Sequence, residues 1–253
     1  MRDTIKDYNA LGTAYSASRR ADPDIEALIH SQLGAARFVL NVGAGTGNYE
    51  PADRHVVALE PSVQQRAQRP THLPPALIGT AQSIPFDDNS FDAAMAILTV
   101  HHWPDPAAGL REVRRVTQGA VVIMAFDPAG ETEFWLKDYL PEMAALERTR
   151  DTDFGLMKRV VGGRCAVIDV PVRRECTDWF QSALYARPEE LLKPEVRAAQ
   201  SMWRFLDEGL VARFVAALSA DLESGQWDDR YGHYRTKPSI KTQLRLIVSH
   251  PAD

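Results

Sequence analysis

The chain has 253 residues, 45% of them hydrophobic and 25% charged, which predicts one large α/β domain with an insertion, or a domain plus a small subdomain. A formal net charge of −5 argues against a nucleic-acid partner, since phosphate binding leaves a basic footprint. Two cysteines, Cys165 and Cys176, with no C-x-x-C and no histidine cluster nearby, speak against a disulfide framework or a metal site.

In chain order, residues 1–21 are polar and carry two spaced tyrosines, Tyr8 and Tyr15. Asp22-Pro23 then starts a helix, with an N-cap acid, proline at the first helical position, and Ile25, Leu28, Ile29 and Leu33 on one face; Gly34 ends it. Five strand-like runs follow: Phe38–Val42, Val56–Leu59, Ala76–Ile78, Phe91–Leu98 and Ala120–Phe126. Helical stretches fall between most of them, notably Pro106–Val116, where Leu110, Val113 and Val116 share a face. Near-continuous apolar strands alternating with helices predict a parallel sheet covered on both sides. After Asp127-Pro128 the texture becomes helical and mixed over 131–160. Val167–Val172 and Gln243–Val248 read as two more strands, and 177–226 between them as helices with an apolar stripe from Trp203 to Leu222.

The expected architecture is a doubly wound, mostly parallel, seven-stranded sheet with a helical cap inserted before the last strand. Residues 1–34 form an arm and a helix, 35–130 the core, and 131–253 the cap interleaved with the last two strands. Ligands of open α/β sheets bind at the carboxyl edge, and the cap is expected to cover it. No apolar run approaches about 18 residues and no charged-then-apolar leader is present, so the expectation is a cytoplasmic protein without membrane contact. Arg19-Arg20, Arg114-Arg115 and Arg173-Arg174 read as isolated, solvated pairs.

The most informative stretch is Val39-Leu40-Asn41-Val42-Gly43-Ala44-Gly45-Thr46-Gly47, with Leu59-Glu60 closing the next apolar run. Strand, glycine turn, helix and strand in that order place an acid at the tip of the second strand, where it can accept from both hydroxyls of a ribose. Glycines let backbone approach a ligand where a Cβ would collide. Their spacing departs from the dinucleotide fingerprint G-x-G-x-x-G. Gly47 comes one residue early and Asn48 holds the dinucleotide position, which disfavours a nicotinamide dehydrogenase.

This G-A-G-T-G turn resembles the first motif of class I S-adenosylmethionine-dependent methyltransferases. Three further segments are similar to their type 11, ubiquinone/menaquinone-biosynthesis-like branch. They are Val56-Val57-Ala58-Leu59-Glu60-Pro61-Ser62, then Gly79-Thr80-Ala81-Gln82-Ser83-Ile84-Pro85-Phe86-Asp87-Asp88-Asn89-Ser90-Phe91-Asp92, and His101-His102-Trp103-Pro104-Asp105 leading into Leu110-Arg111-Glu112-Val113-Arg114-Arg115-Val116. The resemblance implies a Rossmann-like methyltransferase fold and S-adenosyl-L-methionine as cofactor. It implies that Gly43, Ala44, Gly45 and Gly47 wrap the methionyl part and Glu60 holds the ribose. Pro61 and Ser62 would line the adenine edge, Ala81 and Gln82 would lie over or beside the adenine, and Leu98 and Thr99 would face the sulfonium. Thr80 and Gln82 stand where the family usually has aspartate and glutamate, and Gln118-Gly119 replaces a Pro-Gly-Gly turn. Tyr8, Tyr15 and Arg19 resemble the leader of related enzymes, implying an aromatic lid over the cofactor and an arginine for the methionyl carboxylate.

The function implied is methyl transfer to a small organic molecule through an O-, N- or C-acceptor, by a monomer or homodimer. For a hydroxyl acceptor, His101 or His102 at the carboxyl edge suits a general base, with Asp127 at the end of the fifth strand orienting the ring. Of the two, His101 is preferred as the base, because it lies nearer the strand end and hence the methyl group. The pair reads equally as structural, one ring under Trp103 and the other capping the next helix. His233 is a second histidine candidate, in a run that reads as an ordinary loop. The competing function is a cofactor-binding, regulatory or non-methyltransferase member of the same fold.

Overall fold

The computed structural model describes residues 20–130, 134–148 and 153–252. A six-stranded sheet forms its centre, in the order β2-β1-β3-β4-β8-β5. The strands are β1 (Phe38–Val42), β2 (His55–Leu59), β3 (Ala93–Ile97), β4 (Val121–Phe126), β5 (Arg164–Asp169) and β8 (Leu244–His250). β1 to β4 run parallel, and β8 lies antiparallel between β4 and β5. A separate two-stranded ribbon pairs β6 (Val172–Arg173) with β7 (Ser239–Ile240).

Among the described residues the central sheet has six strands rather than seven. Ala76–Ile78, expected as a strand, contributes only an isolated parallel bridge, Leu59 to Leu77. Pro74 and Pro75 precede it and offer no amide donors, and Ile78 is 76% exposed, so little holds this edge flat. The expected run Val167–Val172 is likewise split. Pro171 separates β5 from β6, and β5 starts earlier because it pairs along β8 from Arg164 to Asp169.

Alternation along the strands divides the core into two layers. Val39, Met95, Val122 and Met124 face one side, where they pack with Ile25 and Ile29 of helix α1 (Pro23–Gln32). Leu40, Ala94, Val121 and Ile123 face the other and meet α2 (Pro106–Val116) through Leu110, Val113 and Val116. Asp22 caps α1 as expected, its Oδ1 accepting from Asp24 N at 3.1 Å and Ile25 N at 3.2 Å. The chain between β6 and β7 is the helical insertion, and its longest helix is α3 (Glu208–Ser224). Phe180, Leu184, Trp203, Phe214 and Trp227 from this insertion join the α1 side of the core. The ring of Phe180 meets that of Phe126, at the carboxyl end of β4, at 6.0 Å. No helix among the described residues is long and apolar enough to cross a membrane.

Arg114 and Arg115 are not a solvated pair. Arg114 Nη2 donates to the carbonyls of Thr117 and Gly119, closing the end of α2. Arg115 binds Glu112 at 2.7 Å and Asp88 at 2.8 Å, and donates to the carbonyls of Ile84 and Phe86. It thereby fastens the loop that carries Ile84-Pro85-Phe86 to the helix. Asp92 Oδ2 accepts from Arg37 N at 2.7 Å and Phe38 N at 2.9 Å, and these bonds hold its carboxyl below the usual range. The latter half of that sequence motif therefore builds the scaffold rather than the cleft.

Candidate active site

The carboxyl ends of β1, β2 and β3 open into a cleft with a cavity of about 130 Å³, roughly an order of magnitude above the ~10–15 Å³ that one water needs. The glycine turn forms its floor. Gly43 has φ of +70°, and a Cβ on it would lie 2.0 Å from Thr99 Oγ1, so only glycine lets β1 and the segment after β3 meet here. The Gly43 and Ala44 amides both donate to Leu59 O, at 2.8 and 3.1 Å, which ties the turn to the end of β2. Gly45 also lines the cleft, whereas Gly47 is absent from its lining. A Cβ on Gly47 would lie 2.4 Å from Leu73 Cδ1, so its role is to pack the turn against the segment after β2.

Glu60, the next residue after β2, is 7% exposed and reaches into the cleft. Its Oε2 accepts from Gly45 N and its Oε1 from Ser62 N, each at 2.8 Å. Those two bonds fix the carboxylate and leave acceptor capacity on each oxygen for a ligand. Burial raises the Glu60 pKa, opposed by the two backbone donors and by the charges of Arg66 and Arg69. Pro61, Ser62, Ala81 and Gln82 line the same cavity. The Gln82 amide is turned to Asp105 O at 3.2 Å.

On the other wall, Leu98 and Thr99 follow β3. Leu98 adopts φ of +53°, an uncommon conformation for a branched side chain that costs on the order of 1–3 kcal/mol. Its amide donates to Met124 O at 2.8 Å, so pairing with β4 holds it there. A short 3-10 turn, Val100–His102, comes next. The two histidine rings lie 3.7 Å apart, and of the two it is His102 that lines the cavity; His101, the nearer to the strand, does not. Trp103 also lines the cavity, with its Nε1 3.3 Å from Thr99 Oγ1.

Asp127 lies outside the cavity lining. Its Oδ1 accepts from Ala129 N at 3.0 Å, an Asx-type turn that ends the strand, and no bond to either histidine is seen. His233 sits in a short helix, His233–Thr236, with its ring 4.2 Å from that of Tyr234 and away from the cleft. Tyr8, Tyr15 and Arg19 lie outside the described residues. Among those residues there is no group of three or more His, Cys, Asp or Glu placed to hold a metal.

Several lining residues carry no sequence signal of their own. Asn41, Thr46, Asn48, Tyr49 and Gln65 all contribute to the wall. Asn41 Nδ2 donates to Glu50 Oε1 at 2.9 Å, and Glu50 in turn pairs with Arg69 at 2.8 Å. Tyr49 donates its hydroxyl to Asp178 Oδ2 at 2.8 Å, linking the cleft to the insertion.

Comparison with known proteins agrees with this geometry. Residues 40–124 match the family model described as a methyltransferase domain. An uncharacterized methyltransferase of Mycobacterium tuberculosis is 35% identical over 146 residues, 54% of this chain and 58% of that protein, so the similarity spans little more than half of that relative. A malonyl-[acyl-carrier protein] O-methyltransferase of Halorhodospira halophila is 33% identical over 105 residues, 36% of each chain. Among solved structures, a proposed methyltransferase from an antibiotic biosynthesis pathway of Anabaena variabilis superposes with a TM-score of 0.84 at 29% identity, covering 92% of this chain and 98% of that one. The fold, the ordered motifs and these relatives agree: the chain is similar to class I S-adenosylmethionine-dependent methyltransferases, with a methyltransferase domain matched over residues 40–124.

Proposed function

We propose that the protein transfers the methyl group of S-adenosyl-L-methionine to a small organic acceptor, at oxygen, nitrogen or carbon. The observation that carries the reading is Glu60, a buried carboxylate pinned by two backbone amides with acceptor capacity facing a cleft. Such a group suits a vicinal diol, whose two hydroxyls need acceptors. The remaining lining fits the same cofactor. Gly43, Ala44 and Gly45 admit the methionyl part against backbone, Ala81 and Gln82 with Pro61 and Ser62 receive the nucleoside, and Leu98 and Thr99 form the wall toward the reacting end.

When bound, the cofactor supplies an activated methyl group on a sulfonium, so the protein's main task is placement for in-line attack. Trp103, Tyr49 and Leu98 give the cleft apolar walls that exclude water. For a hydroxyl acceptor, His102 is the group placed to take the proton, since it faces the cavity. An amine or an already ionised nucleophile needs no such base.

The test is calorimetry with S-adenosylhomocysteine, followed by a turnover assay on a panel of hydroxyl, amine and activated-carbon acceptors. Binding is expected for the wild-type protein and lost in Gly45→Val, where φ of +54° strains any β-branched residue on the cleft floor. An unchanged heat of binding in that variant sinks the assignment of the floor. Binding without turnover on any acceptor favours the cofactor-binding, non-methyltransferase reading.

A further inference from the structure

Gln65 stands out among the buried polar groups. It is 1% exposed, lies on the short helix after β2, Val63–Ala67, and lines the cleft. Its backbone amide is taken by the N-cap Ser62 Oγ at 3.2 Å. Both polar atoms of its side chain, Oε1 and Nε2, are buried without a hydrogen-bond partner. An amide with neither end paired is costly to bury, so a polar group from outside the described chain is the natural partner. The position narrows what that group can be. A Cβ on Gly45 would lie 3.6 Å from Gln65 Oε1, so the amide sits beside the same Gly45 whose N–H holds Glu60.

We propose that Gln65 completes the recognition of the cofactor's ribose, its side-chain amide pairing with the diol whose hydroxyl hydrogens Glu60 accepts. This rests on the cofactor reading given above. Donor and acceptor counting supports the pairing. Ionised Glu60 accepts only, so each hydroxyl that gives it a proton keeps an oxygen lone pair in need of a donor. Gln65 Nε2 supplies that donor. An aliphatic residue here would fill the same space and leave the diol half satisfied. Gln65 is on this view a selector for the intact diol, bought at some cost to the stability of the empty protein.

The experiment compares S-adenosylhomocysteine with its 2′,3′-dideoxy analogue by calorimetry, on the wild-type protein and on Gln65→Met and Gln65→Leu. Loss of a neutral hydrogen-bonding partner should weaken S-adenosylhomocysteine about 3- to 10-fold. The dideoxy analogue, which binds more weakly throughout, should change by less than about twofold between wild type and variants. Thermal melting of the empty protein should be equal or higher in both variants, since an unpaired buried amide has been removed. Equal weakening of both ligands overturns the assignment of Gln65 alone. Failure of the wild-type protein to bind S-adenosylhomocysteine overturns the cofactor reading, and this assignment with it. Two variants of different shape guard against misfolding in one, and a lowered melting point in both would show a packing role and overturn the proposal.

Discussion

At the scale of single residues, Glu60 decides most. Glu60→Ala removes the acceptor of two backbone amides and, on the proposed reading, of the ribose. The expected loss of S-adenosylhomocysteine affinity is about 1.5–3 kcal/mol, the range for hydrogen bonds to a charged group, read by calorimetry. The pH dependence follows from burial, which raises the pKa of Glu60 above 4.5. For the empty protein, a raised acid contributes stability that is fully present below pH 4.5 and is lost as pH rises through the raised folded value. Ligand affinity runs the other way, because only the carboxylate accepts from both hydroxyls, so it should fall as pH drops through that same raised value. A flat affinity profile down to pH 4.5 would mean that Glu60 does not titrate in the cleft. For a hydroxyl acceptor, His102→Ala should lower turnover by ~10²–10⁴-fold with cofactor affinity nearly intact, whereas His101→Ala should not. Wild-type turnover in His102→Ala with the true acceptor would leave the pair structural. The glycine turn and Glu60 were legible because the turn lies in one unbroken stretch and the acid ends the next strand, so spacing alone places them. Which of His101 and His102 enters the cleft was not, since adjacent residues past a strand point to different sides and only the local turn decides. Gln65 was not either, because it sits on a five-residue helix with no motif of its own.

Elements, one level up, are held by networks that sequence shows poorly. The segment joining β1 to β2 and the loop after the helix Val63–Ala67 are clamped by Glu50 and Arg69, an ion pair at 2.8 Å whose side chains are 1% and 4% exposed. Arg69 also donates to Pro74 O, and Glu50 orients the Asn41 amide at the cleft. Breaking a buried pair leaves one charge without its partner. Glu50→Ala should therefore cost about 3–5 kcal/mol in urea denaturation, far more than loss of a surface pair such as Arg174 with Glu175. A midpoint close to wild type would show that water reaches Arg69 once Glu50 is gone. The central strands β3 and β4 were readable because they are buried on both faces and hence apolar throughout, as in the sequence Val121-Val122-Ile123-Met124-Ala125-Phe126. β5 was placed late by its pattern because it is an edge strand, half-exposed along its length, and its register comes from β8 rather than from its own residues. Leu77 failed to make a strand for a related reason: an exposed edge next to two prolines has little to pair with.

For the whole molecule, the question is whether sheet and insertion form one cooperative unit. One continuous apolar cluster runs from Val39, Met95 and Met124 of the sheet through Trp135 and Leu136 to Leu184, Trp203, Phe214 and Trp227 of the insertion. Trp135 Nε1 donates to Tyr185 O at 2.8 Å, and its ring meets Trp227 edge-on at 5.5 Å. Tyr49 carries the same connection to the cleft through Asp178, which is fully buried. Tyr49→Phe keeps the ring at the cleft and removes the hydroxyl that Asp178 accepts from. Weakening a hydrogen bond to a charged group should cost about 1.5–3 kcal/mol of stability. Melting followed by calorimetry should then show a single transition in both wild type and Tyr49→Phe, lower in the variant. S-adenosylhomocysteine at about 100 times its Kd adds about 2.7 kcal/mol of linkage, which for a chain of this size raises Tm by about 5–10 °C. Because the insertion shares the core of the cleft, that shift should move the entire transition. Two separate transitions, with only one displaced by the ligand, would mean that the insertion unfolds on its own and that its cluster with the sheet contributes little to holding the cleft closed.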